Sequence, residues 1–299
     1  MKTVAILGPT ASGKTALAIS LAKRFNAYIL SLDSLSVYKE IDIASAKPTV
    51  QEREGIVHFG IDVLRPDEHF DVTMFFSLYQ EAKDTALQDD KHLIIVGGTG
   101  FYLKAMMEGL SQKPSVSLHV RNEINRLLSD LPHAYALIEQ NDPAYAVRIA
   151  SSDRYRIEKW LEIFITLEIT PSEYLAQSKQ KPLLPNVALF EIETERSLLA
   201  ERIGLRTQHM IEQGLVEEVF SLEKRYTRAP QCMKAIGIKE VLDYFDGKLP
   251  LKALAERISL NTVHLAKRQR TFNASQFPPH PKNDLLHLTR TIESYFISS

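Results

Sequence analysis

Apolar positions at the start of the chain first run together, from Thr3 to Leu7, and then space out as Leu17, Ala18, Leu21 and Ala22 on one helical face, with "GPTASGKT" between the two patterns. The change of period predicts a strand, a loop and a helix. A second continuous apolar run, "AYILSLD", predicts a buried strand that ends at Asp33. Further on, Asp71 is placed to cap a helix whose stripe is Phe75, Leu78, Ala82 and Ala86, and "HLIIV" predicts a third strand running into the turn Gly97–Gly100. Another helix is expected from Phe101.

From about Ser111 to Pro185 the strand pattern stops. Val120, Ile124, Leu127 and Leu128 fall on one side of a predicted helix, a second helix is expected behind Ser151 and Ser152, and "KQKPLLP" has the paired prolines of a linker. "VALFEIE", residues 187 to 193, then returns to a buried strand, and the remainder is mostly helical. The pattern predicts an α/β protein: a P-loop NTPase-like core with a parallel sheet, interrupted by a helical insertion. The expected divisions are residues 1–112 for the first part of the core, 113–182 for the insertion and 183–299 for the second part with a basic C-terminal helix. No internal repeat or low-complexity tract is present.

Composition narrows the partners. The 36 Lys and Arg residues nearly balance the 37 Asp and Glu, so any polyanion must be bound by a local patch and not by net charge. With Cys232 as the single cysteine, neither an internal disulfide nor a cysteine-based zinc site is available. The opening apolar run is too short for a signal-peptide core or a membrane span, and the expected setting is cytoplasmic.

"GPTASGKT" fits G-x-x-x-x-G-K-[ST], with Gly8, Gly13, Lys14 and Thr15 at the required positions. A loop of this kind holds a diphosphate, because backbone N–H groups at a helix start point inward and the lysine adds a positive charge. ATP-binding enzymes usually add an acidic group at a buried strand end to hold magnesium. Here "HLIIV" ends in Gly97, Gly98, Thr99 and Gly100 instead. Asp33 is the carboxylate left near the loop, and it suits either of two roles: accepting a proton from a nucleophile, or capping the turn "DSLSVY". A kinase of a small metabolite or nucleotide fits the same residues.

Taken together, "GPTASGKT", "DSLSVYKEIDIASAKP", "VGGTGFYLKAMMEGL", "AIGIKE" and "LAKRQRTF" resemble the tRNA dimethylallyltransferase (tRNA isopentenyltransferase) family, in family order and over most of the chain. The resemblance implies transfer of a dimethylallyl group from dimethylallyl diphosphate to the exocyclic N6 amine of the adenosine just 3′ of the anticodon. It implies Asp33 as base, with Thr99 and Arg121 at the reaction centre. The diphosphate would be held by Gly8, Pro9, Thr10, Ala11, Ser12, Gly13, Lys14 and Thr15, with Arg206, one turn from Arg202, as a further contact and Mg2+ at Thr15. The expected partners are dimethylallyl diphosphate and the anticodon loop of tRNA, taken up by a monomer without a membrane.

Expected tRNA contacts are Asp33, Ser34, Leu35 and Ser36, then Tyr155, Arg156, Ile157, Glu158 and Lys159, then Lys267 and Arg268. No acidic residue occurs from Ser259 to Asn283, and Asn261, His264, Lys267, Arg268 and Thr271 share one helical face. In "SSDRYRIEK" the chain departs from the family pattern, with Ser152, Tyr155 and Lys159 in place of Asn, Gln and Arg. Tyr155 offers a stacking ring in place of an amide. Ser36, Ala44 and Val263 also depart from the commoner residues. Trp160 is expected in the core of the inserted helices, and His58 in a structural role.

Overall fold

The computed structural model describes residues 1–111, 114–178 and 181–298. The expected boundary between residues 112 and 113, and the part of the "KQKPLLP" segment at Lys179 and Gln180, lie outside the described residues. The chain forms two compact units, Met1–Met107 with Leu184–Ser299, and Glu108–Leu183.

The first unit opens with β1 (Thr3–Leu7), α1 (Lys14–Arg24), β2 (Ala27–Leu32), β3 (His58–Phe59), α2 (Val72–Gln88), β4 (His92–Gly97) and α3 (Gly100–Glu108). The helices of the second unit are α4 (Leu118–Leu127), α5 (Leu131–Asn141), α6 (Pro143–Ala146), α7 (Arg154–Leu167) and α8 (Pro171–Gln177). The first unit resumes with β5 (Ala188–Ile192), α9 (Arg196–Glu212), α10 (Leu215–Tyr226), a 3-10 turn at Gln231–Lys234, α11 (Ile238–Phe245), α12 (Leu251–Gln276), β6 (Lys282–Asn283) and α13 (Leu285–Ile297).

Among the described residues the sheet has six strands, all parallel, in the order β3-β2-β4-β1-β5-β6. The two short outer strands, β3 and β6, have no apolar run in the sequence to announce them. The alternation of side chains along each strand divides the core between the sheet's two faces. Val4, Ile6, Ile29, Ile94 and Phe190 face α1 and α13, while Ala5, Leu7, Leu30, Leu93 and Leu189 join the larger core with α2, α3 and α10 to α12. The stripe Phe75, Leu78, Ala82 and Ala86 is buried as its spacing predicts. Asp71 caps α2, accepting from the N–H of Thr73 at 2.9 Å and of Met74 at 3.1 Å.

The second unit has its own core around Trp160, which is fully buried and stacks on Phe164 with ring centroids 4.5 Å apart. Its indole N–H donates to the buried Asp142, which also accepts from the backbone and hydroxyl of Ser172. α7 starts one residue later than the serines suggest, because Asp153 caps it by accepting from the N–H of Arg156.

One close approach fixes the strand ends that matter for chemistry. A Cβ added to Gly97 would lie 2.2 Å from the carbonyl oxygen of Leu32, a backbone atom that cannot turn aside. Gly97→Ala is therefore expected to destabilise the protein by about 3 kcal/mol, the upper end of ordinary overpacking costs. Gly204→Ala, in a helix with open space around the new methyl, should hold or raise stability. Denaturant midpoints of the two variants test this, and a Gly97→Ala midpoint equal to wild type would refute it.

Candidate active site

β1 ends at Leu7 in the middle of the sheet, and the loop Gly8–Gly13 carries the chain into α1. The turn needs left-handed backbone: φ is +62° at Ala11 and +92° at Gly13, the residue that precedes α1. Because Gly13 supplies no capping side chain, the N–H groups of the first turn have no side-chain acceptor. They form an anion-seeking start to α1. Thr15 is exposed there, whereas Ser12 is buried and its hydroxyl has no partner among the described residues.

Lys14 folds back so that Nζ donates to the carbonyl of Pro9 at 2.6 Å. Its pKa is lowered to about 7, first by burial and then by the neighbouring Arg206, with Asp33 acting in the opposite direction. Arg206 reaches across from α9, placing one guanidinium nitrogen 3.5 Å from Thr10 Oγ1 and the other 3.4 Å from the carbonyl of Ala46. Burial pulls its pKa down, while Asp33 and Glu52 oppose that effect. Arg202, its neighbour one turn earlier, is exposed and does not line the cavity beside the loop.

Asp33 leaves β2 beside the turn after β4, with the N–H of Thr99 donating to the carbonyl of Leu32 at 3.2 Å. Its Oδ1 accepts from the N–H groups of Leu35 at 2.8 Å and Ser36 at 3.2 Å. Oδ2 has no hydrogen-bond partner among the described residues. The two roles read from the sequence are thus compatible, since one oxygen caps the turn while the other stays available.

The P-loop residues Thr10 and Ala11 meet Asp33, Thr99 and Arg206 on a cavity of ≈ 540 Å³ that lies wholly within the first unit and whose lining does not include Lys14 or Thr15. Thr10, Ala11, Asp33, Ser34, Thr99 and Arg206 supply polar lining and backbone. Ile203, Met210, Ile236, Ile258, Leu265 and Phe272 supply apolar wall. Lys234 and Arg268 add positive charge, and among the described residues Asp33 is the only carboxylate in the lining. Such a chamber suits a ligand with an anionic head, a short apolar tail and a polyanionic co-substrate. No cluster of three or more His, Cys, Asp and Glu residues that could hold a metal occurs among the described residues.

Several lining residues escape a reading of the sequence. Gln269 accepts from the N–H of Thr10 at 2.9 Å, pinning α12 to the P-loop, and the buried Asn273 donates to Glu191 of β5 at 3.1 Å. The available signal was the stripe Leu265, Gln269, Phe272 and Asn273, a helical face that mixes amides with apolar residues. The basic face is less uniform than its spacing suggests. Lys267 is exposed and Arg268 borders the cavity, but Asn261 is tied to Glu240 at 2.6 Å. Leu35 lines the cavity and Ser36 is buried beneath it.

The remaining expected residues belong to the second unit. Arg121 is exposed on α4. On α7, Tyr155 is 68% exposed and the Lys159 ammonium lies 5.6 Å from its ring centroid, while Arg156 pairs with Asp153 at 3.1 Å. Glu158 is half-buried. Ile157 is a correction: it is fully buried in the core of that unit, because it points down the apolar stripe with Trp160 and Leu161, and its side chain presents nothing to RNA. His58 lies on β3 with Nδ1 2.9 Å from the carbonyl of Ile56.

A sequence profile of a family described as IPP transferase matches residues 36–276. The tRNA dimethylallyltransferase of Sulfurovum sp. is 50% identical over 293 residues, covering 98% of this chain and 97% of its own length. That of Aliarcobacter butzleri is 49% identical over 296 residues, with 99% of each chain covered. Among solved structures, the full-length tRNA isopentenylpyrophosphate transferase of Bacillus halodurans matches with a TM-score of 0.72 at 30% identity, over 98% of this chain and 95% of its own. A eukaryotic dimethylallyltransferase described as acting on tRNA matches with a TM-score of 0.79 at 26% identity, over 91% of this chain and 70% of its own.

Proposed function

Because the chain belongs to the IPP transferase family, we infer that it transfers a dimethylallyl group to tRNA, using dimethylallyl diphosphate as donor and the N6 amine of the adenosine 3′ of the anticodon as acceptor. The observation that carries this reading is the meeting of the P-loop, Asp33 and Thr99 on one chamber with apolar walls. The purine N6 attacks C1 of the dimethylallyl group, the C1–O bond breaks, and the diphosphate departs with the electron pair. The N6 proton goes to Asp33 Oδ2. Lys14, Arg206 and the first-turn N–H groups of α1 stabilise the charge that grows on the leaving group. The kinase alternative loses ground at β4, which ends in glycine and threonine with no acid to hold a nucleotide-bound metal.

The donors near the P-loop fit magnesium. Thr15 Oγ1 is a hard oxygen at the start of α1, and magnesium completes its octahedron with substrate oxygens and water more readily than with an all-protein cage. When bound, the ion supplies charge neutralisation at the diphosphate. For the RNA, Tyr155 with Lys159 offers a ring and a cation to an unstacked loop base, and Lys267 and Arg268 offer phosphate contacts. No helix among the described residues is long and apolar enough to cross a membrane.

The reading is tested by incubating the protein with magnesium, labelled dimethylallyl diphosphate and, separately, unmodified tRNA, AMP or ATP. Label should pass to tRNA alone, and label on AMP or turnover of ATP would refute it. Replacing Lys267 and Arg268 with Ala should also weaken tRNA binding and flatten the slope of log affinity against log salt by about one to two units, with dimethylallyl diphosphate affinity within about threefold of wild type. Wild-type tRNA affinity of the double variant at two salt concentrations would return this face to ordinary solvated surface.

A further inference from the structure

Between β2 and β3, residues 41 to 47 form a turn that is held from outside the cavity. Glu218, in the first turn of α10, directs both carboxylate oxygens at three successive backbone donors. Its Oε2 accepts from the N–H groups of Asp42 at 2.9 Å and Ile43 at 2.7 Å, and its Oε1 from that of Ala44 at 2.9 Å. From the other side Lys47 donates to the carbonyl of Tyr38 at 2.9 Å and pairs with Asp42 at 2.6 Å and with Asp62. A second tie runs from α10 to the start of the turn, where Arg225 and Tyr226 both bond Glu40.

The turn has a task on its inner side. Ala44, Ser45 and Ala46 line the cavity, and the carbonyl of Ala46, a residue with φ of +46°, receives the guanidinium of Arg206. Among the described residues, Arg206 has only this carbonyl and Thr10 Oγ1 to fix its planar head beside the P-loop. A guanidinium serves a diphosphate through its orientation as well as its charge, because its donors form a rigid fork. Burial pushes the Glu218 carboxyl up from its ordinary range, and the three amides hold it back.

We propose that Glu218 is a positioning residue for donor binding: by clamping the amides of Asp42, Ile43 and Ala44 it sets the Ala46 carbonyl, and through it the Arg206 guanidinium that meets the diphosphate. This rests on the reading of the P-loop chamber as the diphosphate site. A carboxylate is the group that fits, since three converging N–H donors need an acceptor on both oxygens. Glutamine keeps the shape of the side chain but turns one of its ends into a donor that opposes an N–H.

The test is a double-mutant cycle on dimethylallyl diphosphate affinity, measured calorimetrically with magnesium and without tRNA. Glu218→Gln should weaken binding by about tenfold in the wild-type background and by less than about twofold in an Arg206→Lys background, where the link to Ala46 is already broken. Equal weakening in both backgrounds, or none in wild type, overturns the proposal. Hydrogen exchange gives an arm that needs no ligand: the amides of Asp42, Ile43 and Ala44 should exchange faster in Glu218→Gln at a wild-type melting temperature, and unchanged protection refutes the clamp. If wild type itself fails to bind dimethylallyl diphosphate, the functional reading falls, and the exchange arm still decides the clamp. Should Glu218→Gln not fold, Glu218→Asp, which keeps the charge but draws it back by a methylene, is measured in the same way.

Discussion

Asp33→Asn is expected to slow single-turnover transfer to tRNA by about two orders of magnitude or more, the usual worth of a positioned general base. The substitution is selective because Asn retains Oδ1, which can still accept from the N–H groups of Leu35 and Ser36. The turn survives and the base is lost. A secondary effect follows from charge. Asp33 raises the pKa of Lys14, so its neutralisation leaves less ammonium at neutral pH and weakens donor binding slightly. Rates should therefore be compared at saturating donor and near pH 6, where Lys14 is protonated in both proteins. A variant rate near wild type under those conditions would remove Asp33 as the base.

The second large effect belongs to Lys14. Lys14→Ala should weaken dimethylallyl diphosphate binding by about 10- to 100-fold, the range of a lost hydrogen bond between charged groups at about 1.5–3 kcal/mol. The pH dependence carries a sign that identifies the residue. The pKa of about 7 belongs to the unliganded site, and a bound diphosphate stabilises the ammonium and raises it. Affinity due to Lys14 is thus complete below about pH 7 and falls as pH rises above it, by up to tenfold per unit, until the raised pKa is passed. Titrations between pH 7 and 9 should show this slope in wild type and not in Lys14→Ala. A wild-type affinity that stays flat across that range would mean that Lys14 does not exchange its proton with the ligand.

Much of the chamber was legible because its chemistry sits at strand ends, where a change from apolar run to glycine or acid marks both the fold and the site. The P-loop, Asp33 and Thr99 are all of this kind. The positions that escaped notice are set by tertiary approach. Gln269 and Asn273 read as ordinary polar helix residues until α12 is laid across the P-loop and β5, and Glu218 reads as a surface acid until α10 is brought to the turn at residues 42 to 44. Spacing also misleads where a helix is buried on two sides, as with Asn261, whose amide is drawn to Glu240. Ile157 was placed among RNA contacts by a neighbouring motif, yet its own stripe with Trp160 and Leu161 marked it as core.

The strand order also governs when the chamber can exist. Ala5 of β1 pairs with Ile95 of β4 on one side and with Leu189 of β5 on the other. At synthesis rates of about 5–20 residues per second, the second partner leaves the ribosome on the order of ten seconds after the first. During that interval the residues of the helical unit, which has its own core, emerge while one edge of β1 waits with its backbone groups unpaired. Arg206, Lys234, Arg268 and Gln269 all come later still. The P-loop is among the earliest segments to be made, and the walls of the chamber beside it are among the last.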